Sequence, residues 1–129
     1  MPQPRLLLVD DEPHLARYLA DAAEGCGFAA EVTGDDGAFR EAFRRERPDV
    51  VALDLGMPGM DGVELLRFLA DQEFAGPVLI VSGFDRRVLE SAFRLGEALG
   101  LNMAGPLEKP VRLDALEVVL GRLRSNLAT

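Results

Sequence analysis

Three short runs of aliphatic residues narrow the folds that this sequence can adopt. Each run is four residues long, and they occupy Leu6–Val9, Val50–Leu53 and Val78–Val81. Polar residues do not alternate with apolar ones inside them, which is typical of strands buried on both faces of a parallel sheet. A membrane span needs about 20 consecutive apolar residues, so none of the runs could cross a bilayer. The runs therefore predict a parallel sheet and no membrane-spanning segment.

The segments between these runs have the spacing of amphipathic helices. One stripe of this kind consists of Ala38, Phe39, Ala42 and Phe43. Two weaker strand candidates, at 28–33 and 102–108, fill the remaining gaps. The pattern is then five strands that alternate with five helices, and right-handed crossovers place helices on both faces of one sheet. We therefore expect a doubly wound α/β fold.

The charge balance argues against nucleic acids and anionic membranes as partners. The 129 residues include 22 acidic and 14 basic ones, and the net charge is −8. Such a chain is repelled by phosphate backbones unless its basic residues cluster, and here they are scattered. The single cysteine, Cys26, precludes an internal disulfide and suits a reducing compartment. Because no signal-peptide pattern is present, we expect one cytoplasmic domain that spans residues 1–129.

Acidic residues follow two of the predicted buried strands. Asp10 and Asp11 come after the first run, and Asp54 comes after the second. In an open sheet with strand order 2-1-3-4-5, the carboxyl ends of strands 1 and 3 adjoin where the order reverses, and ligands bind there. Three carboxylates so placed repel one another, and a hard cation such as Mg²⁺ relieves the repulsion. The alternative is that they only cap helices, as Asp11 could do for a helix that begins at 12–13.

Two further polar residues complete this edge of the predicted sheet. Ser82 follows the third run, and Lys109 follows the last strand candidate. A hydroxyl and an ammonium at neighbouring strand ends can both contact a phosphoryl group, the first by a hydrogen bond and the second by its charge. Alone, each residue would also suit an ordinary turn or surface position. In register with three acidic residues, they favour a phosphoryl site.

Together, these residues resemble the receiver domain of bacterial two-component response regulators, a CheY-like family. Four segments that span nearly the whole chain carry the resemblance: Leu-Leu-Val-Asp-Asp-Glu-Pro at 7–13, Asp-Leu-Gly-Met-Pro-Gly-Met-Asp-Gly at 54–62, Ser-Gly at 82–83 and Glu-Lys-Pro at 108–110. The resemblance implies a flavodoxin-like (βα)5 fold with strand order 2-1-3-4-5. It also implies that the function is that of a phosphoacceptor.

The resemblance assigns roles to the acidic residues. Asp54 would be the phosphoacceptor and would take its phosphoryl group from a partner histidine. Asp11 and Asp54 would hold Mg²⁺ together with the backbone carbonyl of Gly56. Asp10 would act on the ion largely through water. Such a transfer needs positioning and charge neutralisation more than covalent machinery, which agrees with an acidic metal site.

The segment before the lysine departs from the family pattern. By the resemblance, Ser82 would bond a phosphoryl oxygen, Lys109 would pair with the phosphoryl charge, and the Lys109–Pro110 bond would be cis. The family usually has an aromatic switch residue three positions before this lysine, where Pro106 stands here. Proline suits only edge strands or bulges, which agrees with strand 5 as an edge, but it cannot rotate as an aromatic switch does. The interval 82–109 is also long, and 82–89 resembles receivers that precede cyclic-di-GMP phosphodiesterase domains.

The partners implied by the resemblance are proteins. A sensor histidine kinase or a phosphotransfer protein would supply the phosphoryl group, and a downstream output domain or protein would respond to it. A homodimer is left open. The chain would be a regulatory phosphoacceptor and not an enzyme, because it would promote only its own phosphorylation and dephosphorylation. No output domain follows in this sequence, so we expect either a stand-alone receiver or part of a longer protein.

Three other functions stand as alternatives. A Mg²⁺-dependent aspartyl phosphatase would place its acids as Asp-x-Asp, whereas Asp10 and Asp11 are adjacent. A nucleotide-binding protein would need a glycine-rich phosphate loop, which this sequence lacks. A pseudo-receiver that serves only for docking is kept open by Pro106, although the presence of Asp11, Asp54 and Lys109 argues against it.

Overall fold

The computed structural model describes residues 3–55, 62–83 and 86–127. Its strands are β1 (Arg5–Val9), β2 (Ala29–Thr33), β3 (Val50–Asp54), β4 (Pro77–Ser82) and β5 (Asn102–Glu108). Its helices are α1 (Pro13–Gly25), α2 (Asp36–Arg45), α3 (Gly62–Asp71), α4 (Arg86–Ala98) and α5 (Leu113–Leu127). All strand pairs are parallel, and their order is β2-β1-β3-β4-β5. The expected flavodoxin-like α/β fold is therefore confirmed.

The aliphatic runs form the middle of the sheet, as predicted. Strands β3 and β4 are buried along their whole length, and β1 is buried except at its first residue. The register places Val9 beside Leu53 and Asp54 beside Val81. The carboxyl ends of these three strands are thus aligned, so the residues at or just after the strand ends share one edge of the sheet.

Each face of the sheet has its own apolar core. On one face, α2, α3 and α4 contribute to a core in which Phe43 forms T-shaped pairs with Phe68 and Phe74, with ring centroids 5.4 and 5.6 Å apart. On the other face, α1 and α5 contribute leucines such as Leu19, Leu116 and Leu120. No helix in the described ranges combines the length and the apolar character of a membrane span.

Two details of the predicted elements differ in the structure. The sequence pattern places Phe28 at the start of the second strand, but β2 begins at Ala29. The Phe28 backbone N–H donates to the Ala23 carbonyl at 3.0 Å, so this residue closes the turn after α1. The pattern also places Ala38 on the buried stripe of α2, but this residue is exposed. The inward positions of this short helix are taken by its two phenylalanines, and Ala38 lies to one side of them.

Strand β5 lies at the edge of the sheet and contains a bulge. Leu79 pairs with Ala104 and Val81 pairs with Leu107, so β5 has one residue more than β4 over this interval. The extra length falls at the cis Gly105–Pro106 bond, where Gly105 has a positive φ of 85° that favours glycine. A bulge on an edge strand tolerates a residue without an N–H donor. The expectation that Pro106 lies on an edge strand is confirmed.

Candidate functional site

Three carboxylates meet where the ends of β1 and β3 adjoin. Asp10 and Asp11 follow β1, and Asp54 is the last residue of β3. One oxygen from each lies within 4.8 Å of the others. Asp10 and Asp54 are each only 2% exposed, whereas Asp11 faces solvent. The fold therefore brings the predicted acids together, but their environments differ.

Asp10 lies in the least favourable environment of the three. Its Oδ1 accepts a hydrogen bond from the Glu12 backbone N–H at 2.9 Å. Its Oδ2 is buried and accepts no hydrogen bond from the described residues. Burial raises the pKa of Asp10 from 3.8 to about 6, and the charge of Asp54 adds to the rise, while the Glu12 N–H and the charge of Lys109 oppose it. A proton on Asp10 can also be shared with Asp54, which favours the neutral form further.

Helix capping does not account for these acids. The N-cap residue of α1 is Glu12, and no side chain caps this helix end. Pro13 begins the helix, where a missing backbone N–H costs nothing. The alternative that Asp11 caps the helix is therefore wrong. Its exposed carboxylate can instead contact a bound ion.

Lys109 supplies the positive charge of the site. Its Nζ lies 2.9 Å from Oδ2 of Asp54, and its side chain is 21% exposed. Its backbone N–H donates to the Ser82 carbonyl at 2.9 Å. The Lys109–Pro110 bond is cis, as expected. A buried carboxylate is costly without such a partner, so the ammonium group offsets part of the desolvation of Asp54.

Ser82 and Gly83 lie between the acids and the lysine. Ser82 ends β4, is fully buried and pairs in register with Glu108 of β5. Gly83 is exposed beside the lysine, and a Cβ added to it would lie 3.7 Å from the Cβ and Cδ of Lys109, an ordinary contact. Of the predicted site residues, Gly56 lies outside the described residues. The others, Asp10, Asp11, Asp54, Ser82 and Lys109, share one edge of the sheet.

The chemistry of this site suits a hard divalent cation. All three clustered ligands are carboxylate oxygens, which Mg²⁺ and Ca²⁺ prefer. None of the described residues donates a hydrogen bond to the buried Asp10 Oδ2, which can therefore accept an ion or one of its waters. Two of the acids are buried with a single lysine nearby, so the local charge is negative without a cation. The residues present therefore fit the expected metal.

The sequence did not predict one hydrogen bond near the site. Tyr18 lies on α1, and its hydroxyl donates to the Val111 carbonyl at 2.9 Å. Tyr18 is partly buried and packs against the apolar core on that face of the sheet. A buried tyrosine hydroxyl usually finds a hydrogen-bond partner, which was the signal available in the sequence. Its partner could not be inferred, because that depends on how the chain leaves β5.

Comparison with known proteins agrees with this arrangement. Residues 6–120 match the response regulator receiver domain family. The transcriptional activator protein PfeR of Pseudomonas aeruginosa is 38% identical over 95% of this chain and 43% of its own length. The C4-dicarboxylate transport transcriptional regulatory protein DctD of the same organism is 35% identical over 88% of this chain and 24% of its own length. The chain thus spans less than half the length of these curated relatives.

Solved structures show the same fold. A response regulator from Colwellia psychrerythraea has 30% identity and a TM-score of 0.81, with 97% of this chain and 99% of that one covered. The chemotaxis response regulator CheY4 of Vibrio cholerae, at 22% identity and a TM-score of 0.79, covers 95% of this chain and 99% of its own, and it supports the fold alone. By its sequence match, its sheet topology and its acidic edge, this chain belongs to the response regulator receiver domain family of two-component systems.

Proposed function

We propose that Asp54 accepts a phosphoryl group from the phosphohistidine of a sensor kinase or phosphotransfer protein. The observation that carries this proposal is the pairing of a buried carboxylate with one ammonium group, 2.9 Å away, beside two further acids. The burial of a carboxylate at a strand end does not improve apolar packing. It is well placed to act as a nucleophile whose charge is balanced by neighbouring groups.

The transfer needs no other covalent partner in this chain. A carboxylate oxygen of Asp54 attacks the phosphorus atom, an O–P bond forms and the P–N bond of the phosphohistidine breaks. The electron pair of that bond stays on the imidazole nitrogen, which then takes a proton from solvent. Lys109 pairs with the phosphoryl oxygens, and the Ser82 hydroxyl donates to one of them. The product is an aspartyl phosphate at the edge of the sheet.

Asp10, Asp11 and Asp54 would hold a Mg²⁺ ion, with the Gly56 carbonyl as a further ligand. When bound, the ion supplies positive charge that offsets the charge of the phosphoryl group. Asp11 is suited to direct ligation because it is exposed and can reorient, whereas Asp10 is held in place by the Glu12 N–H. The buried oxygen of Asp10, to which no residue in the described ranges donates a hydrogen bond, supports the same assignment.

The output of the domain would be a change of surface around β4 and α4. In this proposal residues 1–129 form one regulatory domain of the cytoplasm, and a downstream domain or protein reads its state. The relatives PfeR and DctD are transcriptional regulators by name. The proposal therefore includes the control of transcription as one output for this chain. The chain itself would act as a phosphoacceptor and not as an enzyme.

Intact mass spectrometry tests the proposal. Incubation with acetyl phosphate and Mg²⁺ should add one phosphoryl group to the wild-type protein, and Asp54→Asn should abolish the addition. Asp71→Asn makes the same chemical change at an exposed position on α3, away from the strand ends, and should label normally. Labelling that survives in Asp54→Asn would show that the acceptor is another residue. A wild-type protein that never labels would favour the pseudo-receiver that only docks.

A further inference from the structure

The hydroxyl of Tyr18 joins α1 to the chain segment that follows Lys109. It donates to the Val111 carbonyl at 2.9 Å, two residues beyond the lysine. We propose that Tyr18 is a positioning residue for Lys109, and that it acts through Val111 to hold the ammonium group against Asp54. The catalytic part of this inference rests on the proposed phosphoacceptor function, whereas its structural part does not.

The backbone around Lys109 is held from both sides. On the upstream side, the Lys109 N–H donates to the Ser82 carbonyl at 2.9 Å. On the downstream side, Pro110 has no N–H to donate, and α5 begins only at Leu113. Among the hydrogen bonds seen in the described residues, that from Tyr18 ties this short segment to the rest of the fold.

Apolar packing holds both residues of this contact in place. Tyr18 and Val111 are both partly buried, and both pack against the core that α1 and α5 form on one face of the sheet. The tyrosine ring is therefore held by apolar contacts that do not depend on its hydroxyl. Loss of the hydroxyl should release the Val111 carbonyl and leave the ring in place.

A lysine is sensitive to such a release because its side chain is long and flexible. The ammonium group is separated from the backbone by four methylene groups, and it has many rotamers to choose from. Its pairing with Asp54 requires one of them, with a separation of 2.9 Å. A small shift of the backbone at 109–111 therefore moves the ammonium group out of contact, or raises the entropic cost of keeping it there.

The composition of the chain makes this contact easy to observe. Tyr18 is the only tyrosine and there is no tryptophan, so the intrinsic fluorescence of the protein near 300 nm reports on Tyr18 alone. Lys109 is the only lysine. Lysine labelled with ¹³C at Cε therefore gives a single side-chain signal in nuclear magnetic resonance spectra.

The first experiment compares the Lys109 Cε signal in metal-free wild type, Tyr18→Phe and Asp54→Asn. Asp54→Asn defines the signal of a lysine without its carboxylate. Tyr18→Phe should move the signal toward that position. Arg124→Met is the matched control, because it removes another bond from a side chain to a backbone carbonyl, that of Gly27, from a different part of the fold. It should leave the signal in place. A Tyr18→Phe signal that coincides with the wild-type one would overturn the proposal, whether or not the protein is phosphorylated.

The second experiment is a double-mutant cycle on the binding of beryllofluoride, a mimic of the phosphoryl group, in the presence of Mg²⁺. Tyr18→Phe should weaken beryllofluoride binding about threefold to tenfold in the wild-type background and by less than about twofold in Lys109→Met. An equal loss of beryllofluoride affinity in both backgrounds would show a merely structural role and contradict the inference.

Discussion

At the scale of single residues, the three carboxylates of the acid cluster differ in how well their negative charges are compensated. Asp54 has an ammonium partner at 2.9 Å, and Asp11 is solvated. Asp10 is buried with one oxygen that accepts no hydrogen bond from the described residues, and its pKa is raised to about 6. Burial therefore disfavours the charged form of Asp10 in the metal-free protein.

This imbalance predicts how the stability of the metal-free protein depends on pH. A carboxyl group with a raised pKa in the folded state binds a proton that the unfolded state lacks, so stability falls as pH rises from about 4 through 6. A shift to about 6 corresponds to a loss of up to about 3 kcal/mol. Asp10→Asn should abolish most of this slope and raise stability at pH 7. Urea unfolding in EDTA at several pH values measures both effects.

Asp11→Asn is the matched control for that prediction. The same substitution at the exposed neighbour should raise metal-free stability only slightly, and the pH slope should persist. Stabilisation by millimolar Mg²⁺ should be about 1–2 kcal/mol for the wild type and smaller for Asp11→Asn. Equal slopes in wild type and Asp10→Asn would refute the assignment of the titration to Asp10.

The sequence was informative about which residues reach the site but not about their environments. Strand ends in a parallel sheet meet at one edge, so Asp10, Asp54 and Lys109 could be placed together from the order of the strands. The contrast between buried Asp10 and exposed Asp11 could not be predicted for two adjacent identical residues. It depends on the backbone path after β1, where the Glu12 N–H turns back to Asp10.

At the scale of elements, the bounds of all five strands were predicted to within two residues, but the bulge in β5 was not predicted. Runs of aliphatic residues that are buried on both faces leave little choice of structure. Edge strands have mixed burial, and β5 also contains the bulge at 105–106. The length of this bulge depends on how β5 pairs with β4, and that information is not local in the sequence.

Some glycines lie so close to a neighbouring segment that no side chain fits in their place. A Cβ added at Gly76, just before β4, would lie 2.1 Å from the Asp49 carbonyl oxygen, and a backbone atom cannot easily move away. Gly76→Ala should therefore destabilise the protein by about 1–3 kcal/mol. Gly121 lies on α5 with nothing within 4 Å of an added Cβ. Gly121→Ala should stabilise it by about 0.5–1 kcal/mol. Thermal or urea unfolding measures both, and a Gly76→Ala variant as stable as wild type would contradict the close approach of these two segments.

At the scale of the whole molecule, the helices are not equally anchored to the sheet. Helix α3 buries four apolar residues, whereas α4, which is longer, buries only Leu89 and Gly96. Helix α4 follows β4 in the chain and packs against the edge strand β5. An exposed ion pair between Arg86 and Glu108, at 2.9 Å, links its first residue to the end of that strand. Because exposed pairs contribute little, this link resists movement only weakly.

The overall topology could be predicted from the sequence, whereas the route of a conformational change could not. Alternating strands and helices leave few arrangements once crossovers are right-handed, and the resemblance to receivers selected the observed order. The resemblance implies an aromatic switch residue at the position that Pro106 occupies, and Pro106 lies in the bulge on the edge strand. We therefore expect a change that starts at Ser82 to take another route.

We expect that route to run through the segment after β4 and through α4. Gly83 provides backbone freedom beside Ser82, and Phe84, which we also expect to respond, lies outside the described residues. Because a ligand shifts an equilibrium only by its different affinity for two states, this segment must make different contacts when the site is phosphorylated. Beryllofluoride with Mg²⁺ should change amide hydrogen exchange most at 82–99 and little near Pro106. In the Asp54→Asn variant, beryllofluoride should leave amide exchange at 82–99 unchanged. A strong response of β5 with 82–99 unaffected would mean that the edge strand carries the signal despite its proline.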